Sequence, residues 1–165
     1  MNFFTKWLDE KKQMTKPSLA ILRRNVCLLA FSLLWLPYIY GGQHPWLGLD
    51  CSGLWVEIAR LLGLYRKNED YNVEGLWKKY EKQRLNTPEM GCLAFYGNKA
   101  NPYPTHVTIC VDEYFCISAS GGGSEIKEKT LGAMITFKKI NYRNDIWGFL
   151  DPFGIVNDSN EDIWK

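Results

Sequence analysis

Residues 48–54 have the sequence Gly-Leu-Asp-Cys-Ser-Gly-Leu and contain the predicted start of a helix. Asp50 is of a residue type that caps helix N-termini, and Gly63 is of the type that ends helices. Between them, apolar residues recur at the spacing of one helix face: Leu54, Ile58, Leu61 and Leu62. The pattern predicts a helix over Asp50–Leu62, with Cys51 in its first turn.

The position of Cys51 suggests a reactive thiol. A helix N-terminus carries a partial positive charge and free backbone N–H groups. These groups favour the thiolate form of a cysteine and can also stabilise a developing oxyanion. A Gly-rich loop over Tyr40–Leu49 precedes the helix and leaves room for a substrate. Cys51 is therefore a candidate nucleophile.

A nucleophilic cysteine needs a base, and the chain has two histidines, His44 and His106. His44 lies in the loop, whereas His106 opens a predicted strand. Alternation places Val107, Ile109 and Val111 on one face of that strand and His106, Thr108 and Cys110 on the other. We expect the second face to be the more polar one. A Cys51–His106 pair is one hypothesis; a buried thiol and an unrelated surface histidine is the other.

The remaining pattern predicts an α+β domain with helices first and strands second. Helices are predicted over Ser18–Trp35 and Val73–Arg84. The candidate strands are Cys92–Tyr96, His106–Val111, Tyr114–Ser120, Ala133–Ile140 and Ile146–Leu150. The apolar run Val26–Leu36 is too short for a membrane span, which needs about 20 residues. It predicts a buried helix, although Arg23 and Arg24 before it resemble the positively charged start of a signal peptide.

Composition limits the classes of function. The 165 residues suit a single domain over 17–155, with an exposed arm over 1–16 and a tail over 156–165. A net charge of +2 gives no global attraction to nucleic acid. The five cysteines form no CxxC pair and indicate a reduced protein with core thiols. Trp35, Trp55, Trp77 and Trp147 are expected in the core, and Trp46 is expected to wall a substrate groove.

Four motifs occur in order: Pro37-Tyr-Ile-Tyr-Gly-Gly42, Gly48-Leu-Asp-Cys-Ser-Gly-Leu54, His106-Val-Thr-Ile-Cys-Val111 and Ile117-Ser-Ala-Ser120. Together they resemble the NlpC family of papain-like cysteine peptidases of the bacterial cell wall. The resemblance spans roughly Leu28 to Pro152. It implies a nucleophile helix packed on a five- to six-stranded antiparallel sheet.

The resemblance also implies a role for each matching residue. Cys51 corresponds to the family's nucleophile and His106 to its base. Tyr38 corresponds to a tyrosine that lines the site near the thiol. Asp50 and Ser52 correspond to residues that help bind the free amino end of a stem peptide in relatives.

Three positions depart from the family pattern. The third polar residue, which orients the base, is usually His, Asn or Gln and is Ser118 here. An acidic residue is replaced by Cys92, and a glycine by the bulkier Thr108, expected near the cleft. Ser118 shares a face with His106 only if the hairpin loop has an odd length. We therefore predict either a three-residue loop over 111–113, which pairs residue 106 with residue 118, or a bulge.

The predicted function is hydrolysis of amide bonds in peptidoglycan stem peptides, with the bond between D-glutamate and a diamino acid implied by the resemblance. No cofactor or metal is expected, since a metal site at His106, Cys110 and Cys116 lacks a fourth ligand. A catalytically weakened wall-binding module and a thiol acyltransferase are the alternatives. No signal peptide or membrane span is recognised. The architecture resembles phage-encoded wall hydrolases, made in the cytoplasm and acting after lysis or within a phage tail.

Overall fold

The computed structural model describes residues 18–121 and 131–154. The predicted arm over 1–16 and the tail over 156–165 lie outside these ranges. In the described part, three α-helices form: α1 (Leu19–Ser32), α2 (Cys51–Leu61) and α3 (Val73–Tyr80). Each helix begins after a residue whose side chain accepts a hydrogen bond from a backbone N–H in the first turn, namely Ser18, Asp50 and Asn72. These caps satisfy donors that the helix itself leaves free.

Eight strands form in the described residues. Two short ones, β1 (Gln43–His44) and β2 (Gly48–Leu49), make a small hairpin. The other six are β3 (Arg84–Leu85), β4 (Leu93–Tyr96), β5 (His106–Cys110), β6 (Phe115–Ser120), β7 (Met134–Lys139) and β8 (Ile146–Leu150). They form one antiparallel sheet in the order β3-β8-β4-β5-β6-β7. The predicted α+β class and sheet are confirmed.

Two faces of the sheet bury different residues. On one face, Leu54 and Ile58 of α2 belong to the same core as Val107 and Ile109 of β5. On the other face a smaller cluster forms from Cys92, Ala94, Tyr96, Cys110, Cys116 and Ile140. The alternation predicted for β5 is confirmed. The second face is nevertheless fully buried along β5, because the 3₁₀ helix Ile140–Tyr142 places Ile140 against it.

Helix α1 ends earlier than predicted. Leu33 closes it, and Trp35 adopts a left-handed backbone conformation with φ of 72°. Its N–H donates to the carbonyl of Ile135 at 2.9 Å, so a bond to β7 replaces another helical turn. Trp35 is 70% exposed, and its predicted place in the core was wrong. Trp55 and Trp77 are buried as predicted, and Trp147 packs partly buried against the core.

Helix α3 also ends earlier than predicted, and the residues after it form a strand. Arg84 and Leu85 pair with Leu150 and Phe149 at the edge of the sheet. The helical pattern over Val73–Arg84 concealed this strand, because its partners lie more than 60 residues further along the chain. Tertiary pairing outweighed local helix propensity here.

The apolar run Val26–Leu36 lies mostly within α1, and one side of that helix is buried. Val26, Cys27 and Ala30 face the core, whereas Leu28 and Phe31 are exposed. Arg23, which imitated the start of a signal peptide, instead forms an ion pair with Asp151 at 2.7 Å. Among the helices described, none is long and apolar enough to cross a membrane.

Candidate active site

A cleft of about 900 Å³ opens between the helical part and the sheet. Five of the predicted site residues line it: Tyr38, Asp50, Cys51, Ser52 and His106. Residues that were not predicted also line it, including Asp70, Glu74, Lys138, Tyr142 and Arg143. The fold therefore brings the candidate nucleophile and the candidate base to one cavity.

Two glycines fix the start of the nucleophile helix. A Cβ atom on Gly53 would lie 2.2 Å from the carbonyl oxygen of Gly42. The N–H of Asp50 donates to that same carbonyl at 2.9 Å. Only a residue without a side chain allows this approach. The Gly41-Gly42 loop and the first turn of α2 are thus locked together, and Cys51 lies at their junction.

Asp50 is engaged by its own neighbours. Its Oδ1 accepts from the Gly53 N–H at 2.6 Å and from the Ser52 hydroxyl at 2.9 Å. Its Oδ2 accepts from the Gly41 N–H at 3.1 Å. These bonds hold the loop and helix start in place, so the contacts present give Asp50 and Ser52 a structural role. Their predicted part in binding an amino group stays a prediction.

The thiol of Cys51 is held in its protonated form. Burial raises its pKa to about 12, and the Asp50 carboxylate adds to the rise. Backbone hydrogen bonds from Val107, Ser52 and Cys51 itself act in the opposite direction. The helix terminus was expected to lower the thiol pKa. That effect exists, but the loss of hydration and a nearby negative charge outweigh it.

His106 opens β5 and is 8% exposed. Its Nε2 lies 3.1 Å from the Ser118 hydroxyl, which in turn lies 3.3 Å from the Tyr142 hydroxyl. When Nε2 carries the hydrogen, the imidazole donates to Ser118 and its Nδ1 keeps a lone pair. Nδ1 is then the ring atom left to accept the thiol proton.

The imidazole of His106 is held in its neutral form. Burial lowers its pKa to about 4, and the positive charges of Arg143 and Lys138 lower it further, while Asp145 acts in the opposite direction. Near pH 7 the resting pair is therefore a neutral thiol and a neutral imidazole. A neutral imidazole is a competent proton acceptor, so the pair suits general-base catalysis.

The hairpin between β5 and β6 has a three-residue loop, as predicted, but one residue further along. Cys110 pairs with Cys116, and the Val111 N–H donates to the Phe115 carbonyl at 2.8 Å. Asp112 Oδ1 accepts from the Tyr114 and Phe115 N–H groups and so stabilises the displaced turn. Residue 106 consequently does not pair with residue 118. The two side chains share a face and meet diagonally.

Tyr38 lies in the cleft wall and is 5% exposed. Burial raises the pKa of its hydroxyl to about 12, with smaller effects from Cys51 and Asp50. The hydroxyl therefore remains protonated and can donate a hydrogen bond to an oxyanion. Tyr38 thus lines the same cleft as Cys51, the position that the family resemblance implied.

Trp46 does not line this cleft. It lies in the turn between β1 and β2 and is 83% exposed. Its backbone N–H lies 3.4 Å from Nδ1 of His44, which is also exposed and outside the cleft. His44 lies in the first strand of the small hairpin that forms in the predicted loop, and Trp46 lies in its turn. The expectation that Trp46 walls the groove is not met by this geometry.

The other two departures from the family pattern lie away from the cleft. Cys92 is fully buried in the smaller cluster, and its Sγ accepts from the Glu89 N–H at 3.3 Å. Thr108 was expected near the cleft, but it is 1% exposed and does not line it. It is buried because its face of β5 is covered.

Lys138, Tyr142 and Arg143 were missed by the sequence reasoning. Lys138 was placed near the end of a predicted strand, and Tyr142 and Arg143 fell between two predicted strands, where no local pattern distinguishes them. They reach the cleft because β7 pairs with β6 and the 3₁₀ helix folds back over the sheet. Within the described ranges, no group of three or more His, Cys, Asp or Glu side chains is placed to hold a metal ion.

Known proteins match this chain in sequence and in fold. The sequence profile of the NlpC/P60 family matches residues 36–144. Dipeptidyl-peptidase 6 of Lysinibacillus sphaericus is 31% identical over 109 residues, which cover 66% of this chain and 36% of that protein. The chain thus spans about a third of the length of this curated relative.

Solved structures share the fold at low sequence identity. The NlpC/p60 domain of the peptidoglycan hydrolase SagA has a TM-score of 0.55 at 18% identity, covering 78% of this chain and 97% of that chain. The peptidoglycan hydrolase RipB of Mycobacterium tuberculosis has a TM-score of 0.60 at 18% identity, covering 84% of this chain and 68% of that chain. These similarities extend over both the helical part and the sheet.

Proposed function

This chain belongs to the NlpC/P60 family of cysteine peptidases, and from that premise we propose that it hydrolyses an amide bond in the stem peptides of peptidoglycan. Cys51 is the nucleophile and His106 is the general base. Ser118 is the positioning residue that orients His106. Two proteins that share the fold, SagA and RipB, are peptidoglycan hydrolases, and this supports the proposed substrate.

One observation carries the proposal. Cys51, at the N-terminus of α2, and His106, at the start of β5, line the same cleft. The Ser118 hydroxyl engages Nε2 of His106 and leaves Nδ1 for the thiol. Nucleophile, base and orienting group are the parts that a thiol hydrolase requires.

The first step forms a thioester. As Sγ attacks the scissile carbonyl carbon, Nδ1 of His106 takes the thiol proton, which avoids a free thiolate. The carbonyl oxygen becomes an oxyanion, stabilised by the backbone N–H of Cys51 and the Tyr38 hydroxyl. The C–N bond then breaks. The imidazolium returns its proton to the leaving amine, and the acyl group remains on Sγ.

The second step uses water. Neutral His106 takes a proton from a water molecule, whose oxygen attacks the thioester carbon. The C–S bond breaks, the sulfur recovers a proton from the imidazolium, and a carboxylic acid is released. The free thiol and neutral imidazole of the resting state are restored.

Which bond of the stem peptide is cut is a separate question. We propose the bond between D-glutamate and the diamino acid, on the family resemblance and on the similarity to a dipeptidyl-peptidase. The charged lining of the cleft, which includes Asp70, Glu74 and Lys138, supports a polar peptide substrate over a lipid acyl chain.

Purified peptidoglycan and a synthetic stem tetrapeptide test the proposal. The wild type should release fragments with a new amine, detected by mass spectrometry, and Cys51→Ala should release none. Cys27→Ala is the matched control, because Cys27 is a buried thiol outside the cleft. No product from the wild type, or equal product from Cys51→Ala, would contradict it.

Turnover also separates the enzyme from a weakened wall-binding module. Rapid alkylation of Cys51 is a poor discriminator, because the pKa of about 12 makes the thiol slow to react in an active enzyme as well. Binding of the stem peptide without any hydrolysis would favour the binding module.

A further inference from the structure

The charged residues of the cleft are divided by sign. The acidic ones come from the helical part: Asp50 before α2, Asp70 in the loop before α3, and Glu74 in α3. The basic ones, Lys138 on β7 and Arg143 after the 3₁₀ helix, come from the sheet side. The two walls are therefore suited to opposite ends of a charged substrate.

Lys138 is the cation in the basic wall whose charge is uncompensated. Its Nζ donates to the Ser120 hydroxyl at 2.7 Å and lies 4.6 Å from the Tyr142 ring centroid. Within the described part of the chain, no carboxylate forms an ion pair with it, whereas Arg143 is paired with Asp145. Burial and the Arg143 charge lower the pKa of Lys138. A partly buried cation of this kind gains from an anionic partner.

The basic wall lies beside the catalytic histidine. Lys138 is opposite Cys116 on β6, two residues from Ser118 on the same face. Arg143 and Lys138 are both close enough to lower the pKa of His106. His106 protonates the leaving amine in the proposed reaction, so the leaving-group residue of the substrate lies on this side of the cleft.

We propose that Lys138, with Arg143 beside it, binds a free carboxylate on the leaving-group residue of the substrate. The inference rests on the proposed function and deepens it. Lys138 then selects diamino acids that carry a side-chain carboxylate over those that lack it. The Ser120 hydroxyl and the Tyr142 ring hold the ammonium itself in place, and an ammonium has three N–H donors. A remaining N–H can therefore donate a charge-assisted hydrogen bond to the carboxylate.

Peptide binding to the Cys51→Ala variant tests the subsite without turnover. The probes are L-Ala–γ-D-Glu–meso-diaminopimelate and the same peptide with its side-chain carboxylate amidated. Calorimetry should show the free acid binding about tenfold tighter, as expected for one charge-assisted hydrogen bond. Adding Lys138→Met should reduce this ratio to about twofold or less, and Lys138→Arg should retain most of it.

Lys139→Met is the matched control. Lys139 is the next residue of β7, is exposed and does not line the cleft. With Lys139→Met the free acid should therefore still bind about tenfold tighter than the amide. Equal affinity for acid and amide, no measurable binding of the acid, or a ratio that survives Lys138→Met would each overturn the subsite.

A third probe separates the side-chain carboxylate of the diamino acid from the carboxylate of D-glutamate. It carries D-isoglutamine in place of D-glutamate, which removes the carboxylate on the acyl side. Lys138→Met should still weaken the binding of this probe. If Lys138→Met no longer changes its affinity, the assignment of Lys138 to the leaving-group side would be overturned. Binding with the predicted ratio but no hydrolysis by the wild type would contradict the proposed function and leave the subsite intact.

Discussion

The imidazole of His106 and the hydroxyl of Ser118 lie 3.1 Å apart on neighbouring strands, joined diagonally across β5 and β6. A short serine reaches the ring because the displaced hairpin loop sets this register. Tyr142 supports the hydroxyl from the other side at 3.3 Å. The serine hydroxyl thus lies beside Nε2 of His106 and leaves Nδ1 without this contact.

Removing the Ser118 hydroxyl should slow the reaction. Ser118→Ala loses one hydrogen bond to His106, so kcat should fall about tenfold, the equivalent of a bond worth roughly 1.4 kcal/mol. KM should change little, because Ser118 does not line the cleft. Steady-state kinetics on a stem peptide measure both. Ser32→Ala, on the exposed side of α1, is the control, and an unchanged kcat in Ser118→Ala would remove its orienting role.

The pH profile of kcat/KM should show an acid limb near pH 4. The base must be neutral, and burial lowers the pKa of His106 to about 4, so activity is lost only as pH falls through that value. Lys138→Met should move the limb to higher pH, because a positive charge is removed. A limb at the ordinary value of 6.5 in the wild type would contradict the buried neutral imidazole.

Acid should also destabilise the fold through His106. In the unfolded chain the pKa is 6.5 and in the folded protein about 4, so between these values only the unfolded chain binds the proton. Stability contributed by the neutral ring is present above pH 6.5 and is lost as pH falls towards 4. Between pH 6.5 and 4.5 the wild type should lose about 2 kcal/mol more than His106→Gln. Urea unfolding at the two pH values measures this, and parallel losses would contradict it.

The contact between Gly53 and Gly42 makes another prediction. In Gly53→Ala the new Cβ would lie 2.2 Å from the Gly42 carbonyl oxygen, so the loop or the first turn of α2 must shift. We expect about 1–3 kcal/mol of lost stability and a larger relative loss of kcat, since Cys51 is displaced. Gly148→Ala is the control, because its Cβ would meet Trp77 at an ordinary 3.5 Å. Equal losses of stability and kcat in the two variants would show that the contact between Gly53 and Gly42 does not hold Cys51 in position.

Local patterns were enough to predict the nucleophile helix and the strand that carries His106. Asp50 caps the helix, and the apolar spacing after Cys51 faces the core, so the helix forms as its sequence dictates. Alternation along β5 likewise predicted which of its side chains share a face. Short-range geometry determines such features, and a single sequence contains it.

Features that depend on distant pairing were not predictable in this way. Lys138 and Arg143 reach the cleft through strand order, which no local pattern encodes. The pKa of Cys51 is raised and not lowered, because the effect of burial outweighs that of the helix terminus. Trp46 is exposed and outside the cleft because it lies in the turn of a small hairpin, which its loop was not predicted to form.

Trapping the covalent intermediate would show whether Cys51 is the nucleophile. The wild type is mixed with a stem peptide, quenched in acid within milliseconds to seconds, and analysed by intact-mass and peptide mass spectrometry. We predict a thioester of the acyl fragment on the peptide containing Cys51, absent in Cys51→Ala. Continued hydrolysis in Cys51→Ala, or an acyl group on another residue, would contradict the assignment of Cys51 as the nucleophile.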